Sequence, residues 1–166
     1  MRSATVEQGI LEIRIKDHRE AIGDFSRLTL TLDQISISPK AGLASWNVAW
    51  RDLPPSVQAI DLTKYTGKQS VSVFRGTIAA GVFDAVQLKL TAIEGVLKKT
   101  QRPAEVKNAM APIQLSFSVE PKSETIIVLD LVVLDLSDHP PRGYELGIKG
   151  YEVYTNGKLT VRIPPG

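Results

Sequence analysis

A chain of 166 residues with 43% apolar and 23% charged side chains fits one globular domain, large enough to bury roughly two-thirds of the surface its unfolded form exposes. Its 20 basic and 18 acidic side chains give a formal charge of +2, too even for nucleic acid or an anionic membrane to be the main partner. The lack of cysteine excludes disulfide scaffolds, thiolate nucleophiles, zinc ribbons and haem attachment, and no run of roughly 18 apolar residues is there to span a membrane.

Residues 1–8 are polar and are expected to form a flexible tail. They lack the apolar segment of a signal peptide, so either the protein is intracellular or Met1 follows a removed signal. Leu11, Ile13 and Ile15 alternate with Glu12, Arg14 and Lys16, which predicts a first strand ending at Asp17. Residues 17–24 (DHREAIGD) read as a loop or one helical turn. In residues 28–37 (LTLTLDQISI), Leu28, Leu30 and Leu32 share one parity and Ile35 and Ile37 the other. The switch at Asp33-Gln34 is that of a β-bulge. Residues 40–55 look like an excursion with a short strand around Trp46 to Trp50, and residues 57–62 like another short strand followed by a turn.

Val71 and Val73 lead to a turn at Ala79-Ala80-Gly81 and then to residues 81–94, where the parity of Val86, Leu88 and Leu90 flips at Ile93. Two long strands bent in the same way are expected to be central strands of one sandwich. Residues 98–110 (KKTQRPAEVKNAM) have no strand period and read as a long surface loop. Ile113, Leu115, Phe117 and Val119 mark the next strand. Residues 126–136 (IIVLDLVVLDL) are apolar on both parities, as in a strand covered on both faces or bulged near Asp130. Asn156-Gly157 predicts a type I′ hairpin with Thr155 opposite Lys158 and Tyr154 opposite Leu159. Ile148 and Tyr154 are then expected to share a face with Leu159, Val161 and Ile163, and Tyr151 and Val153 to point the other way. Leu30, Leu32, Val86, Leu88, Leu90, Leu115, Phe117 and Leu129 are the expected core. About eight strands without a helical period predict an all-β, two-sheet antiparallel sandwich of immunoglobulin-like or transthyretin-like type over residues 9–163, with 164–166 (PPG) starting a linker.

Residues 9–17 (GILEIRIKD) resemble the opening Gly-x-Leu-x-Val-x-x-x-Asp of domain-of-unknown-function family 4382. The bent strand from Leu28, the Ile60-Asp61-Leu62 step and the segment Ala80-Gly81-x-Phe83-x-x-Val86-x-Leu88 follow in that family's order. So do residues 117–130 (FSVEPKSETIIVLD) and Tyr144-Glu145-Leu146. The resemblance covers residues 9–154. Where the family has Asp-Ala-Pro after the first strand, this chain has Asp17-His18-Arg19, so that loop is expected to differ in shape. The resemblance implies an exported or lipid-anchored prokaryotic surface protein with a β-sandwich domain. It supplies no activity and no catalytic residues.

Two loops hold the histidines: His18 with Asp17, Glu20 and Asp24, and His139 with Asp135 and Asp138. A His–carboxylate pair could ligate a metal or move a proton, and calcium or zinc could be shared if both loops met in space. Without HxH, HxxxH or HExxH spacing, the reading taken is solvated loop charge with no metal and no cofactor. Asp130, inside an apolar strand, must be paired and is expected to bond a neighbouring loop's backbone N–H groups. No Gly-x-Ser-x-Gly elbow supports a hydrolase. Trp46, Trp50, Tyr144, Tyr151 and Tyr154 could stack on sugar rings, against the alternative that the tryptophans plug the sandwich ends and the tyrosines face a neighbouring strand. The basic run Lys98, Lys99, Arg102 and Lys107, with only Glu105 among it, reads as a solvated loop rather than an anion site. The expectation is a non-catalytic extracytoplasmic domain, structural or adhesive at a prokaryotic cell surface, with its signal and anchor outside this chain and a protein or carbohydrate partner. A filament or matrix subunit, a carbohydrate-binding module and, last, a metal-dependent enzyme are the alternatives. A monomer is expected, because residues 1–8 carry Val6 as their single apolar anchor for donor-strand exchange.

Overall fold

The computed structural model of the protein describes residues 7–18, 21–40, 50–135 and 143–163. Its strands are β1 (Gln8–Asp17), β2 (Phe25–Pro39), β3 (Arg51–Leu53), β4 (Ala59–Asp61), β5 (Val71–Ala79), β6 (Gly81–Leu97), β7 (Pro103–Ala104), β8 (Val106–Asn108), β9 (Ile113–Val119), β10 (Glu124–Asp135), β11 (Tyr144–Thr155) and β12 (Lys158–Ile163). They form two six-stranded sheets. The first runs β12-β11-β10-β1-β5 with β8 also on β11. The second runs β3-β2-β6-β7, with β4 also on β2 and β9 also on β6. One apolar core joins them, drawing Leu11, Ile13 and Ile127 from the first and Leu30, Ile35 and Phe83 from the second.

The two bent strands pair with each other. Thr31 faces Ala92, Leu32 faces Leu90 and Gln34 faces Lys89, so Asp33 and Thr91 are both passed over. Bulges this close on facing strands switch the parity of both strands together. Leu28, Leu30 and Leu32, and then Ile35 and Ile37, therefore all stay buried. Of the expected core, Leu30, Leu32, Val86, Leu88, Leu115, Phe117 and Leu129 are buried, while Leu90, beside the bulge, is partly buried.

In β10 the inward parity never breaks: Thr125, Ile127, Leu129, Leu131 and Val133 are all fully buried. The irregularity near Asp130 belongs to the partner strand, where Lys149 is passed over. Val128 and Val132 on the outer face are buried too, so this strand is covered on both sides.

Several expectations are corrected. The first sheet is mixed, because β1 pairs with β10 and β8 with β11 in parallel. The turn after β9 carries the chain from the second sheet to the first at the end where β1 begins. There the Lys122 N–H donates to the Gln8 carbonyl and the Ile10 N–H to the Ser123 carbonyl, at 2.9 and 2.8 Å. Residues 98–110 are not one loop: β7 and β8 form inside them, and Val106 is buried. The strand of the excursion is β3, after Trp50, and residues 41–49 lie outside the described residues. The Asn156-Gly157 hairpin has the expected partners and positive φ values of 51° and 83°. Thr160, however, is passed over, so Val161 faces Val153 and Ile163 faces Tyr151 instead of sharing the Leu159 face.

Candidate functional site

The sequence neighbours of the first histidine loop separate in space. Asp17 ends β1 fully buried, its N–H donating to the Tyr65 carbonyl at 2.7 Å. The His18 N–H donates to the Leu131 carbonyl at 2.7 Å, and its ring Nδ1 lies 2.9 Å from Asp130 Oδ2. The partner of His18 is thus 112 positions away in the chain. Asp130 holds an imidazole rather than backbone N–H groups, which corrects its expected role. Its other oxygen, Oδ1, is buried with no hydrogen bond among the described residues.

Asp24 takes a different partner. It ends a short 3-10 turn (Ala21–Asp24), and its Oδ2 accepts the Tyr144 hydroxyl at 2.9 Å. Asp135 faces Tyr144 across β10 and β11. Glu20, Trp46, Asp138 and His139 lie outside the described residues. Among the described residues, no group of three or more His, Cys, Asp and Glu side chains is placed to hold a metal ion.

Gly23, Asp24, Leu97, Lys98, Lys99, Thr100 and Tyr144 line a cleft of about 330 Å³ at this end of the sandwich. A second hollow of about 500 Å³ adjoins it at Gly23 and Lys98. The sequence builds the cleft with a tight turn after β6. Gln101 takes φ 56°, its N–H donates to the Leu97 carbonyl at 2.9 Å, and its side-chain amide donates to the Lys98 carbonyl at 2.8 Å. The Lys98 N–H ties the turn to the Asp24 carbonyl at 2.9 Å. The Tyr144 ring meets Phe25 edge-on, with centroids 4.7 Å apart. Burial, the hydrogen bond to Asp24 and the charges of Asp24 and Asp135 push the Tyr144 phenol up to about 12. It is a hydrogen-bond donor held neutral, not a base. The basic run is divided: Lys98 and Lys99 reach the cleft, Arg102 lies past the turn and Lys107 lies on β8.

A chain match decides the family. The family model of a domain of unknown function, DUF4382, matches residues 8–146. The chain belongs to this family. No curated protein and no solved structure matches it.

In this DUF4382 domain the matched span holds both polar pairs, His18–Asp130 and Asp24–Tyr144, and ends at Leu146 early in β11. The Ile60-Asp61-Leu62 step has a structural task. Asp61 Oδ1 accepts the Thr63 N–H at 3.1 Å, the Thr63 hydroxyl at 2.6 Å and the Leu28 N–H at 3.2 Å, capping a 3-10 turn (Leu62–Lys64) against β2.

The outer face of the first sheet carries the network that sequence reading missed. Glu12 accepts from Arg14 at 2.8 Å and Arg75 at 2.9 Å, and Arg75 also reaches Glu124. Arg14 holds the Ser70 hydroxyl and carbonyl at 2.8 and 2.9 Å. Burial works to raise the Glu12 carboxyl, but hydrogen bonds from Ser72, Arg14 and Arg75 and the charge of Arg14 outweigh it and hold the group below its ordinary value. The alternation of Glu12, Arg14 and Lys16 was the available signal; the strands that would face them were not. The same face has a groove of about 340 Å³ where Ile126 and Val128 lie among Arg14, Lys16, Lys68, Glu152 and Tyr154. Among the described residues, the aromatic candidates do not share a surface. Trp50 is exposed before β3, Tyr144 lines the end cleft, Tyr151 packs on the core and Tyr154 lines the groove.

Proposed function

We propose that this DUF4382 domain is a non-catalytic module with a structural or adhesive role at a prokaryotic cell surface. The observation that carries the reading is where its polar side chains are used. Glu12 and Arg14 pair within β1, Arg75 with Glu12 and Arg162 with Glu152 between adjacent strands, and Arg75 with Glu124 and Lys16 with Glu152 over an intervening strand. His18 is tied to Asp130, and Tyr144 to Asp24. Catalysis by general acid and base needs a group that exchanges its proton near the working pH. Tyr144, held neutral up to about 12, is not such a group. These pairs join β1, β5, β10, β11 and β12 into one plate, which suits a domain that must keep its shape outside the cell.

The reading is tested in cells that make the protein, by replacing His18→Gln, Asp24→Asn and Tyr144→Phe together. Provided that circular dichroism shows the fold intact, the surface phenotype of a deletion strain should be restored as well as by the unaltered chain. A folded triple variant that behaves like the deletion would contradict a structural role and favour chemistry at these groups.

A further inference from the structure

The first and last described strands lie in the same sheet, and their directions have a mechanical consequence. β1 is parallel to β10, β10 is antiparallel to β11, and β11 is antiparallel to β12. β12 therefore points the same way as β1. The chain passes into β1 at Gln8, at the end where the hairpin turns. Ile10 faces Glu124, whose N–H donates to Asn156 Oδ1 at 2.9 Å and whose carbonyl accepts the Asn156 N–H at 2.8 Å. The chain leaves β12 at Ile163, which faces Tyr151. Tyr151 faces Leu129, and Leu129 faces Ile15 near the far end of β1. Gln8 and Ile163 are at opposite ends of four adjacent strands.

A pull between these two points runs along the strands. The hydrogen bonds between strands lie across it, so all the bonds of an interface share the load and must fail together. A pull between Gln8 and the hairpin turn acts at one end of the sheet and opens the bonds one after another. We propose that the first sheet is a shear clamp that makes the domain a force-bearing link between the chain before Gln8 and the chain after Ile163. Its biological use rests on the surface role proposed above; the clamp itself does not.

The interface that yields first is β11–β12. It has five facing pairs, against eight for β1–β10 and eleven for β10–β11, and β1 is held on its other side by eight more with β5. Side chains reinforce this weakest interface. Glu152 takes Arg162 at 2.7 and 2.8 Å on one side and Lys16 of β1 at 3.6 Å on the other, reaching over β10. At the bulge the Thr160 hydroxyl donates to the Val153 carbonyl at 3.0 Å. These ties stand close to Ile163, where the load arrives.

The test is single-molecule force spectroscopy on the full chain in two pulling directions. One attaches handles at the two chain ends. The other attaches one handle at the N-terminal end and one at Lys158→Cys, a unique thiol at the exposed hairpin turn of a chain without cysteine. If Lys158→Cys misfolds, exposed Glu120→Cys, at the same end of the sheet, replaces it. The clamp predicts a rupture force several-fold higher between the chain ends than from the turn at equal loading rate. Equal forces, or a higher force from the turn, would overturn it. Loss of surface exposure in cells would instead overturn the surface role and leave the clamp standing.

Discussion

Tyr144 ties stability to alkaline pH. An unfolded tyrosine ionises near pH 10, whereas in the fold its phenol is pushed up to about 12 by burial, by the hydrogen bond to Asp24 and by the charges of Asp24 and Asp135. The contribution of this raised group is fully present below about pH 10 and is lost as pH rises through about 12. Urea midpoints should therefore fall more steeply over that window for the natural chain than for Tyr144→Phe; parallel curves would show that the contact with Asp24 is idle. Glu12 has the opposite sign. Its folded value is lowered, so its contribution is present above the usual value of about 4.3 and is lost as pH falls through the folded one. Glu12→Gln should cost roughly 1–3 kcal/mol near neutrality, and the gap to the natural chain should close in acid. Gly9 was legible as the opening of a motif, but its reason was not. A Cβ there would come within 2.2 Å of the Glu120 carbonyl oxygen and 2.8 Å of Val119 Cγ1, where backbone cannot yield cheaply. Gly9→Ala should lower stability by roughly 1–3 kcal/mol, read as a reduced urea midpoint without a change of slope.

Among the elements, the paired bulges of β2 and β6 are the feature that sequence and structure share most closely. A bulge inside a half-buried strand reverses which parity is apolar, so Asp33 and the Leu90–Ile93 step betray themselves in the spelling alone. Alanine at Leu30, Leu88, Leu115, Phe117 or Leu129 should cost roughly 2–5 kcal/mol, and alanine at partly buried Leu90 less. Unchanged thermal and urea midpoints across that set would mean that the inward faces are assigned wrongly. The short strands β7 and β8 escaped the sequence because two or three residues cannot display a period. The Thr160 bulge escaped for a different reason. Leu159, Val161 and Ile163 keep a perfect alternation in sequence while the pairing slips beneath them, and only the partner strand reveals the slip. The parallel pairing of β1 with β10 depends on which sheet the chain crosses to after β9, and no local pattern records that choice.

At the scale of the whole molecule, the sandwich was legible and the fate of its polar groups was not. His18 and Asp24 are six positions apart in sequence, yet one answers to Asp130 on β10 and the other to Tyr144 on β11. The charged alternation of β1 likewise acquires its meaning only from β5 on one side and from β10, β11 and β12 on the other. What emerges is a plate of strands bound by ion pairs, in which β1 and β12, the first and last strands of the chain to join it, point one way, and the proposal is that such a plate serves outside the cell. Antibody raised against the folded domain, applied to intact cells that make the protein, tests this most directly. A domain displayed outside the cell should be labelled without permeabilisation, and brief treatment of the same intact cells with added protease should abolish that labelling. Labelling that appears only after the cells are opened, and that protease leaves untouched, would contradict it.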